Sequence, residues 1–308
     1  MLELAKRPDG SVQMGFGGDT LNTALYLARL GVHVRYATAL GMDPWSDELR
    51  EAWSREGIGL ELVLSHPSRV TGLYAIRTNE EGERAFTYWR DNSAARRFFD
   101  LPGSKDALDE MATADMVYLS GITLSLFDPP ERDRLVLALA SCAASGGQVV
   151  FDPNYRPANW SSRDAAIKAY ASVAAYVTIV LPTFEDEALL HGETHPNQTF
   201  ERWRALGVSE VVVKLGPHGA IVDRGGAAIL VPTTAVAAVD TTGAGDSFNA
   251  GYLHSRLMGR DEVASALDGH ALAGCVIRHR GAIVDREIWD TELALGRKVA
   301  RADSNAQM

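Results

Sequence analysis

The stretch Asp240-Thr241-Thr242-Gly243-Ala244-Gly245-Asp246 decides how this 308-residue sequence is interpreted. It follows a run of small and β-branched residues at 233–239 and leads into a pattern of apolar residues with helical spacing. The glycines on either side of Ala244 free the backbone at a helix start, where unpaired N–H groups and the helix dipole favour an anion. Asp246 adds a carboxylate at the same point. Taken alone, the stretch is better explained by a structural role, in which the glycines make a turn and Asp246 caps the helix.

Composition excludes several classes of partner. The formal net charge is −10, with 46% apolar and 23% charged residues, which is typical of a globular protein. This acidic balance argues against nucleic acid and anionic membranes as partners, because both are bound through many Lys and Arg contacts. The two cysteines fall in apolar helical patterns, and no apolar run approaches the roughly 20 residues of a membrane span. We therefore expect one domain over residues 1–308 in the cytoplasm, with its last residues, 303–308, frayed.

A second glycine-rich segment precedes the first predicted helix. Gly17 and Gly18 come directly before an apolar helical pattern that ends at Gly31. A glycine pair lets a ligand approach the backbone, and Asp19 or Asn22 can then hydrogen-bond hydroxyl groups. The alternative is that Asp19 caps its helix and Asn22 is a solvated helix residue.

Two hairpins are predicted in the first third of the chain. One pairs residues 11–16 with the chain start, and the other joins 70–78 to 85–90 through a turn at 79–82. With a period of two, Tyr88 and Arg90 share one face of their strand. A phenol and a guanidinium on one face suit a carboxylate or a polyhydroxylated ligand. An exposed hairpin face with a cross-strand aromatic pair is the alternative.

The middle of the chain alternates short apolar runs with helical patterns. Such runs are typical of strands buried on both faces of a parallel sheet, so this order predicts a doubly wound α/β fold. Ligands of such sheets bind beyond the carboxyl ends of the strands. We predict strands at 116–120, 148–152, 176–181 and 210–215, helices at 129–145, 163–175 and 184–191, and a hairpin at 220–232.

The two glycine segments together resemble the signatures of the ribokinase-like (PfkB) carbohydrate kinases. Gly17 and Gly18 with Asn22, Gly31 and Gly41 match the N-terminal signature, and residues 240–246 match the C-terminal one. The resemblance implies a doubly wound, mostly parallel sheet with helices on both faces, plus a small β lid formed by roughly 1–16 and 68–96. Within the family, segments 17–22, 86–96 and 152–157 resemble those of 2-keto-3-deoxygluconate kinases.

This resemblance implies roles for particular residues. Asp246 is the expected general base, which takes the proton of the acceptor hydroxyl as it attacks the γ-phosphate of ATP, and magnesium is expected on the phosphates. The amides of Gly243, Ala244 and Gly245 are expected to form the anion hole. The expected sugar-binding residues are Gly17, Gly18, Asn22, Tyr74, Tyr88, Arg90 and Arg156, and the expected nucleotide-binding residues are Lys214, Gly216, Gly219, Gly243, Gly245, Ala273 and Gly274.

Two departures from the family pattern stand out. Where the family has Asn-x-x-Glu after a strand, this chain has Thr183 and Asp186, followed by Glu187, so Asp186 and Glu187 are the expected magnesium residues, acting through water. The opening residues 1–4 match the second half of the family's first segment. The resemblance implies phosphorylation of 2-keto-3-deoxygluconate, and a homo-oligomer, dimer or larger, formed through the lid. The alternatives are fructokinase or ribokinase activity, or a sugar-sensing protein without catalysis.

Overall fold

The computed structural model describes residues 1–6, 9–78 and 84–291. The predicted turn at 79–82 and the chain end at 303–308 lie outside these residues. The first eight strands build one four-stranded sheet and two parallel pairs, β3 with β5 and β4 with β6. They are β1 (Leu2–Lys6), β2 (Val12–Phe16), β3 (Val34–Arg35), β4 (Thr38–Leu40), β5 (Ile58–Gly59), β6 (Val63–Ser65), β7 (Leu73–Thr78) and β8 (Arg84–Trp89).

The four-stranded sheet is the small lid sheet, with the order β2-β1-β7-β8. β1 pairs antiparallel with β2 and parallel with β7, and β7 pairs antiparallel with β8. In this register Tyr74 lies opposite Tyr88, with ring centroids 6.1 Å apart. The predicted hairpins and the cross-strand aromatic pair are therefore present in one sheet.

The central sheet has six strands in the order β14-β13-β12-β11-β10-β9. β9 to β12 are parallel, and the last two strands add as antiparallel hairpins. The strand predicted at 176–181 spans only Ile179–Val180, and the other strands predicted for this sheet agree with the structure within one residue. The strands are β9 (Met116–Ser120), β10 (Gln148–Asp152), β11 (Ile179–Val180), β12 (Glu210–Lys214), β13 (Ala220–Arg224) and β14 (Ala227–Val231).

Ten helices in the described part of the chain cover the central sheet. α2 begins with Asp43 as N-cap, whose carboxylate accepts from Ser46 N at 3.1 Å, and α7 ends at Gly192 in the left-handed region. The helices are α1 (Asp19–Arg29), α2 (Pro44–Arg55), α3 (Ser104–Met111), α4 (Gly121–Ser125), α5 (Pro129–Ala144), α6 (Arg163–Ala174), α7 (Phe184–His191), α8 (Pro196–Ala205), α9 (Ala244–Leu257) and α10 (Glu262–Val276).

Two hydrophobic cores lie on opposite faces of the central sheet. Along β10, Phe151 packs with α5, α6 and α8, whereas its neighbour Val150 packs with α1, α9 and α10. Successive residues of a strand point to opposite faces, so a strand buried on both sides is apolar throughout. This arrangement confirms the predicted doubly wound α/β fold. No helix in the described residues is both long and apolar enough to cross a membrane.

Candidate active site

A cavity of about 900 Å³ lies at the carboxyl ends of the parallel strands and is closed on one side by the lid sheet. This is the position expected for a ligand in an open α/β sheet. Residues from distant parts of the chain meet there. Its polar wall includes Gly18, Asp19, Asn22, Tyr74, Tyr88, Arg90, Asp152, Asn154, Arg156, Thr183, Asp186, Lys214, Ala282 and the whole of residues 240–246.

Asp246 is a half-buried carboxylate in the first turn of α9. Its Oδ2 accepts from Asn22 Nδ2 at 2.8 Å, and its backbone carbonyl accepts from the Thr23 hydroxyl at 3.1 Å. Burial, reinforced by the negative charges of Asp19 and Asp152, raises the pKa of Asp246 to about 8. A carboxylate with such a pKa holds a proton readily, which suits a general base.

The N-terminus of α9 offers backbone amides to an anion. Gly243 takes the left-handed conformation, with φ of 75°, and no side chain caps the helix. In the described part of the chain, the N–H groups of Gly243 and Gly245 donate to no other residue, whereas Ala244 N donates to Thr241 O at 3.2 Å. Gly243 and Gly245 are therefore the two amides of the predicted set available to a ligand.

Lys214 connects β12 to this helix end. Its Nζ donates to Asp152 Oδ2 at 2.9 Å and to Asn249 Oδ1 at 3.1 Å, and it lies 3.6 Å from where a Cβ on Gly245 would be. Asn249 in turn donates to Asp152 Oδ2 at 2.6 Å and to the Tyr118 hydroxyl at 3.0 Å. Lys214, predicted to bind the nucleotide, thus lies beside Gly245 at the start of α9, held by a buried polar network.

The glycine pair and its helix form the neighbouring wall. Gly18 lines the main cavity. Gly17 lines an adjoining cavity of about 100 Å³, and a side chain on Gly17 would collide with the Tyr74 hydroxyl. Asp19 accepts from the Ser120 hydroxyl and from Asn154 Nδ2 at 3.3 Å. Burial raises the pKa of Asp19. Asn154 is the one non-glycine residue in the described chain with a positive φ, 35°.

The lid contributes the opposite wall. The Arg90 guanidinium lies 4.3 Å from the centre of the Tyr88 ring, and it donates to Asn159 Oδ1. Burial lowers the pKa of Arg90 below its usual value. A guanidinium nevertheless stays protonated in a protein. Tyr74 is buried and its hydroxyl donates to Glu3. A positive charge framed by aromatic rings therefore faces the cavity.

A second arginine reaches the cavity from the loop after β10. Arg156 Nη1 donates to Asp186 Oδ1 at 2.8 Å and to the Tyr155 carbonyl at 2.7 Å. Asp186 lies just after β11. Burial alone would lower the pKa of Arg156, but the charge of Asp186 outweighs it and raises that pKa above its usual value. Arg156, Asp186 and Arg90 all line the same cavity.

The remaining predicted nucleotide residues lie away from the cavity wall. Gly216 and Gly219 turn the chain after β12, both with positive φ, and a side chain on Gly219 would collide with the Val231 carbonyl. Ala273 and Gly274 lie on α10, where Gly274 is next to Val236, close to the segment that reaches the cavity at residues 238–239.

The structure separates the two expected metal residues. Asp186 lines the cavity, but Glu187 is fully buried behind it, where it accepts from Arg202 and from Trp203 Nε1 at 3.3 Å. Burial raises the pKa of Glu187 to about 7. Because successive helix positions point in different directions, only Asp186 can reach a ligand in the cavity. Of the two expected magnesium residues, the structure therefore places Asp186 in the cavity wall and Glu187 outside it.

Magnesium fits the remaining residues only as a partly hydrated ion. No group of three or more His, Cys, Asp or Glu side chains in the described residues is placed to hold a metal. Magnesium commonly keeps several waters and binds one or two carboxylates together with substrate phosphates. A single carboxylate at Asp186, beside amides and a lysine suited to phosphate, matches that kind of site.

Sequence reasoning did not include Ser120, Tyr118 and Asn249 among the site residues. Asn249 lies one helical turn after Asp246, so the spacing of α9 places it close to the start of the helix that borders the cavity. Tyr118 reaches Asn249 from β9, across 131 residues of sequence, which no local pattern indicates.

Comparison with known proteins identifies the family. Residues 5–289 match the model of the pfkB family carbohydrate kinases. The chain is 41% identical over 295 residues to 2-dehydro-3-deoxygluconokinase of Dickeya dadantii (strain 3937), which covers 93% of this chain and 95% of that protein.

Solved structures agree. A PfkB protein from Polaromonas sp. JS666 matches with a TM-score of 0.80 at 27% identity, covering 94% of this chain and 96% of that one. The fold is also shared with a putative ribokinase II from E. coli in complex with ATP and Mg²⁺, at a TM-score of 0.78, 22% identity and 91% coverage of both chains. The family match spans nearly the whole sequence and both glycine segments of the cavity, and this chain therefore belongs to the pfkB family of carbohydrate kinases.

Proposed function

We propose that this chain is an ATP-dependent kinase that phosphorylates the primary hydroxyl of 2-keto-3-deoxygluconate, also named 2-dehydro-3-deoxygluconate. The observation that carries the proposal is one cavity whose wall holds a carboxylate base, Asp246, and two guanidinium groups, Arg90 and Arg156. An acid sugar has a hydroxyl end and a carboxylate end, and the cavity has a matching group for each. The 41% identity to a kinase named for this sugar supports the same substrate.

Asp246 would act on the hydroxyl end. Its carboxylate takes the hydroxyl proton as the sugar oxygen bonds to the γ-phosphorus, and the bond from that phosphorus to the bridging oxygen of ADP breaks. Asn22 holds Oδ2 of Asp246 at 2.8 Å, so Oδ1 remains for the substrate. General-base catalysis of this kind contributes roughly 10²–10⁴ in rate.

The transferring phosphoryl group would lie at the start of α9. Its charge spreads over three oxygens, which the amides of Gly243 and Gly245 and the nearby Lys214 ammonium stabilise. ATP supplies the phosphoryl group, with its remaining phosphates toward β12 and its base toward α10. Magnesium, when bound, neutralises charge on the phosphates, and Asp186 would hold it through water.

Arg90 and Arg156 would bind the carboxylate end. Carboxylates form strong charge-assisted hydrogen bonds with guanidinium groups, and partial burial of Arg90 reduces competition from water. The neutral walls contributed by Tyr74 and Tyr88 fit the carbon chain of the sugar. A neutral sugar such as fructose or ribose would leave these two charges without a partner in the cavity.

The experiment is a coupled assay of ADP release with 2-keto-3-deoxygluconate, fructose and ribose measured side by side. We expect the acid sugar to give a kcat/KM at least 100-fold above either neutral sugar. A neutral sugar preferred over the acid would assign fructokinase or ribokinase activity instead. Sugar binding by calorimetry without ADP release from any of the three would indicate a sensor without catalysis.

The proposal includes assembly of copies through the lid. The face of the lid sheet turned away from Tyr74 and Tyr88 carries Val12, Met14 and Trp89, which are 60, 43 and 57% exposed. Apolar side chains grouped on one sheet face are typical of a surface that another protein covers. A homo-oligomer, dimer or larger, would bury them.

A further inference from the structure

A short segment after α10, residues 281–284, lies directly beneath the anion-binding amides. A methyl group added to Gly243 would come within 2.8 Å of the Ala282 side chain and 3.0 Å of its carbonyl oxygen. Gly281 N also donates to Asp240 Oδ2 at 2.6 Å, and the other oxygen of Asp240 accepts from Thr242 N at 2.8 Å. Because residues 281 and 282 contact this loop directly, their position fixes the position of the loop that begins α9.

Helix α1 holds the segment from below. The hydroxyl of Tyr26, a fully buried residue, donates to the Ala282 carbonyl at 2.8 Å and accepts from Val284 N at 3.1 Å. Arg29 Nη1 donates to the Val284 carbonyl at 2.7 Å. Three hydrogen bonds thus attach the backbone of residues 282–284 to one helix.

Arg29 is itself fixed. Its Nε and Nη2 donate to the two carboxylate oxygens of Glu56, each at 2.7 Å, and its side chain is 1% exposed. A two-pronged arginine–carboxylate pair has a defined geometry. The guanidinium therefore presents Nη1 to Val284 in a single orientation.

The same helix also holds the other side of the catalytic end of α9. Asn22 and Thr23 lie about one turn before Tyr26 and about two turns before Arg29. Asn22 donates to the Asp246 carboxylate at 2.8 Å, and Thr23 donates to the Asp246 carbonyl at 3.1 Å. α1 begins beside Gly18, on the sugar side of the cavity. One rigid helix therefore contacts the sugar loop, the base and the support of the amides.

We propose that Tyr26 and Arg29 are positioning residues that hold Ala282 beneath Gly243 and so aim the amides of Gly243 and Gly245 at the transferring phosphoryl group. Neither residue touches a substrate. Amides that are fixed before the reaction stabilise transition-state charge without reorganising, and a small displacement weakens that effect. The inference rests on the proposed kinase reaction.

Tyr26→Phe removes the hydroxyl and leaves the ring in place, so the fold should be retained. We expect kcat to fall about tenfold while the dissociation constant for the sugar, measured by calorimetry, changes less than twofold. The affinity for ADP with aluminium fluoride, a mimic of the transferring phosphoryl group, should fall about tenfold in the presence of sugar, whereas the affinity for ADP alone should not change. Arg29→Lys should likewise lower kcat and the affinity for ADP with aluminium fluoride.

Tyr252→Phe is the matched control. Tyr252 lies on the same helix as Asp246 and is as buried as Tyr26, but it does not line the cavity. Its hydroxyl donates to Glu210 Oε1 at 2.6 Å. It should lower the melting temperature without changing kcat or the affinity for the fluoride complex.

The inference is overturned if Tyr26→Phe and Arg29→Lys behave like Tyr252→Phe, with lower melting temperatures but wild-type kcat and wild-type affinity for the fluoride complex. These comparisons use whichever sugar the wild-type protein phosphorylates. If the wild-type protein phosphorylates another sugar but not 2-keto-3-deoxygluconate, the proposed substrate is wrong. The comparison of variants can still be made with the other sugar.

Discussion

At the scale of single residues, the site depends on how charges are buried. Asp246 keeps its proton up to about pH 8 because burial and two neighbouring carboxylates oppose ionisation, while Asn22 and Lys214 partly offset this. Sequence reasoning found Asp246 and the arginines through their motifs. The family pattern predicted Asp186 and Glu187 together as magnesium residues, but only Asp186 lines the cavity, whereas Glu187 packs against Arg202 and Trp203. One position along a helix decides between the two, and sequence spacing does not resolve it.

The raised pKa of Asp246 predicts the pH dependence of the reaction. Because the base must be ionised to accept a proton, kcat/KM should rise with pH and level off above about pH 8. Asp19→Asn removes a negative charge that raises the pKa of Asp246, so the inflection should move to lower pH. The measurement is the pH profile of kcat/KM for the wild type and this variant.

Asp223→Asn serves as the control for that profile, because Asp223 is a buried carboxylate paired with Arg204 outside the cavity. Its inflection should match the wild type. An inflection near pH 4 in the wild type, or one that Asp19→Asn leaves in place, would show that Asp246 does not titrate as described.

The second residue-scale prediction concerns Arg90. Arg90→Ala should raise KM for the acid sugar at least tenfold and change KM for a neutral sugar less than twofold, because only the acid sugar loses a charge-assisted contact. KM is measured for both sugars in the coupled assay. Equal increases for the two sugars would remove the argument that Arg90 binds a carboxylate.

At the scale of elements, the start of α9 is the critical piece. Gly243 needs its positive φ and has no room for a side chain above Ala282. The central strands were predictable because most of their residues are apolar and buried on both faces of the sheet. The helices were predictable because their apolar residues recur at helical spacing. Spacing does not fix the exposure of every residue: Trp45 lies four and eight residues before Leu49 and Trp53, yet it is 49% exposed while they are buried.

Gly243→Ala tests this element. We expect kcat/KM for ATP to fall about 10²–10³-fold, as when a hydrogen-bond donor of an anion hole is lost, because the loop must move off Ala282. Gly259→Ala is the control, since Gly259 has a similar φ of 78° but open space around it. If both variants lose stability and keep the same kcat/KM, the position of Gly243 does not matter for catalysis.

At the scale of the whole molecule, the site forms where four parts of the chain meet. They are the lid, the start of α1, the carboxyl ends of the central strands and the start of α9. The doubly wound sheet and the lid were predictable from periodicity and motif resemblance. The contacts that join them were not, since Tyr26 and Ala282 are 256 residues apart and no local pattern relates them. Tyr26 and Val284 lie in the core on one face of the sheet, and packing of that core brings the Tyr26 hydroxyl to the backbone of residues 282–284.

The outer face of the lid gives the whole-molecule prediction. Sedimentation equilibrium of the wild type should give a dimer or larger, and Met14→Glu with Trp89→Glu should lower the mass, because charges on an apolar interface are costly to bury. Leu137→Glu, on an exposed helix position away from the lid, should keep the wild-type mass. A wild-type monomer at micromolar concentration would contradict assembly through the lid.

The central claim is that Asp246 is the base that activates a sugar acid for phosphorylation by ATP. The most direct test compares wild type and Asp246→Asn for two quantities: ADP release with 2-keto-3-deoxygluconate, and the calorimetric dissociation constant for that sugar. Asn retains an oxygen for the Asn22 amide but cannot accept the proton, so kcat should fall at least 10³-fold while the dissociation constant changes less than threefold. A variant that keeps its kcat, or a wild type that releases no ADP with this sugar, would contradict the account.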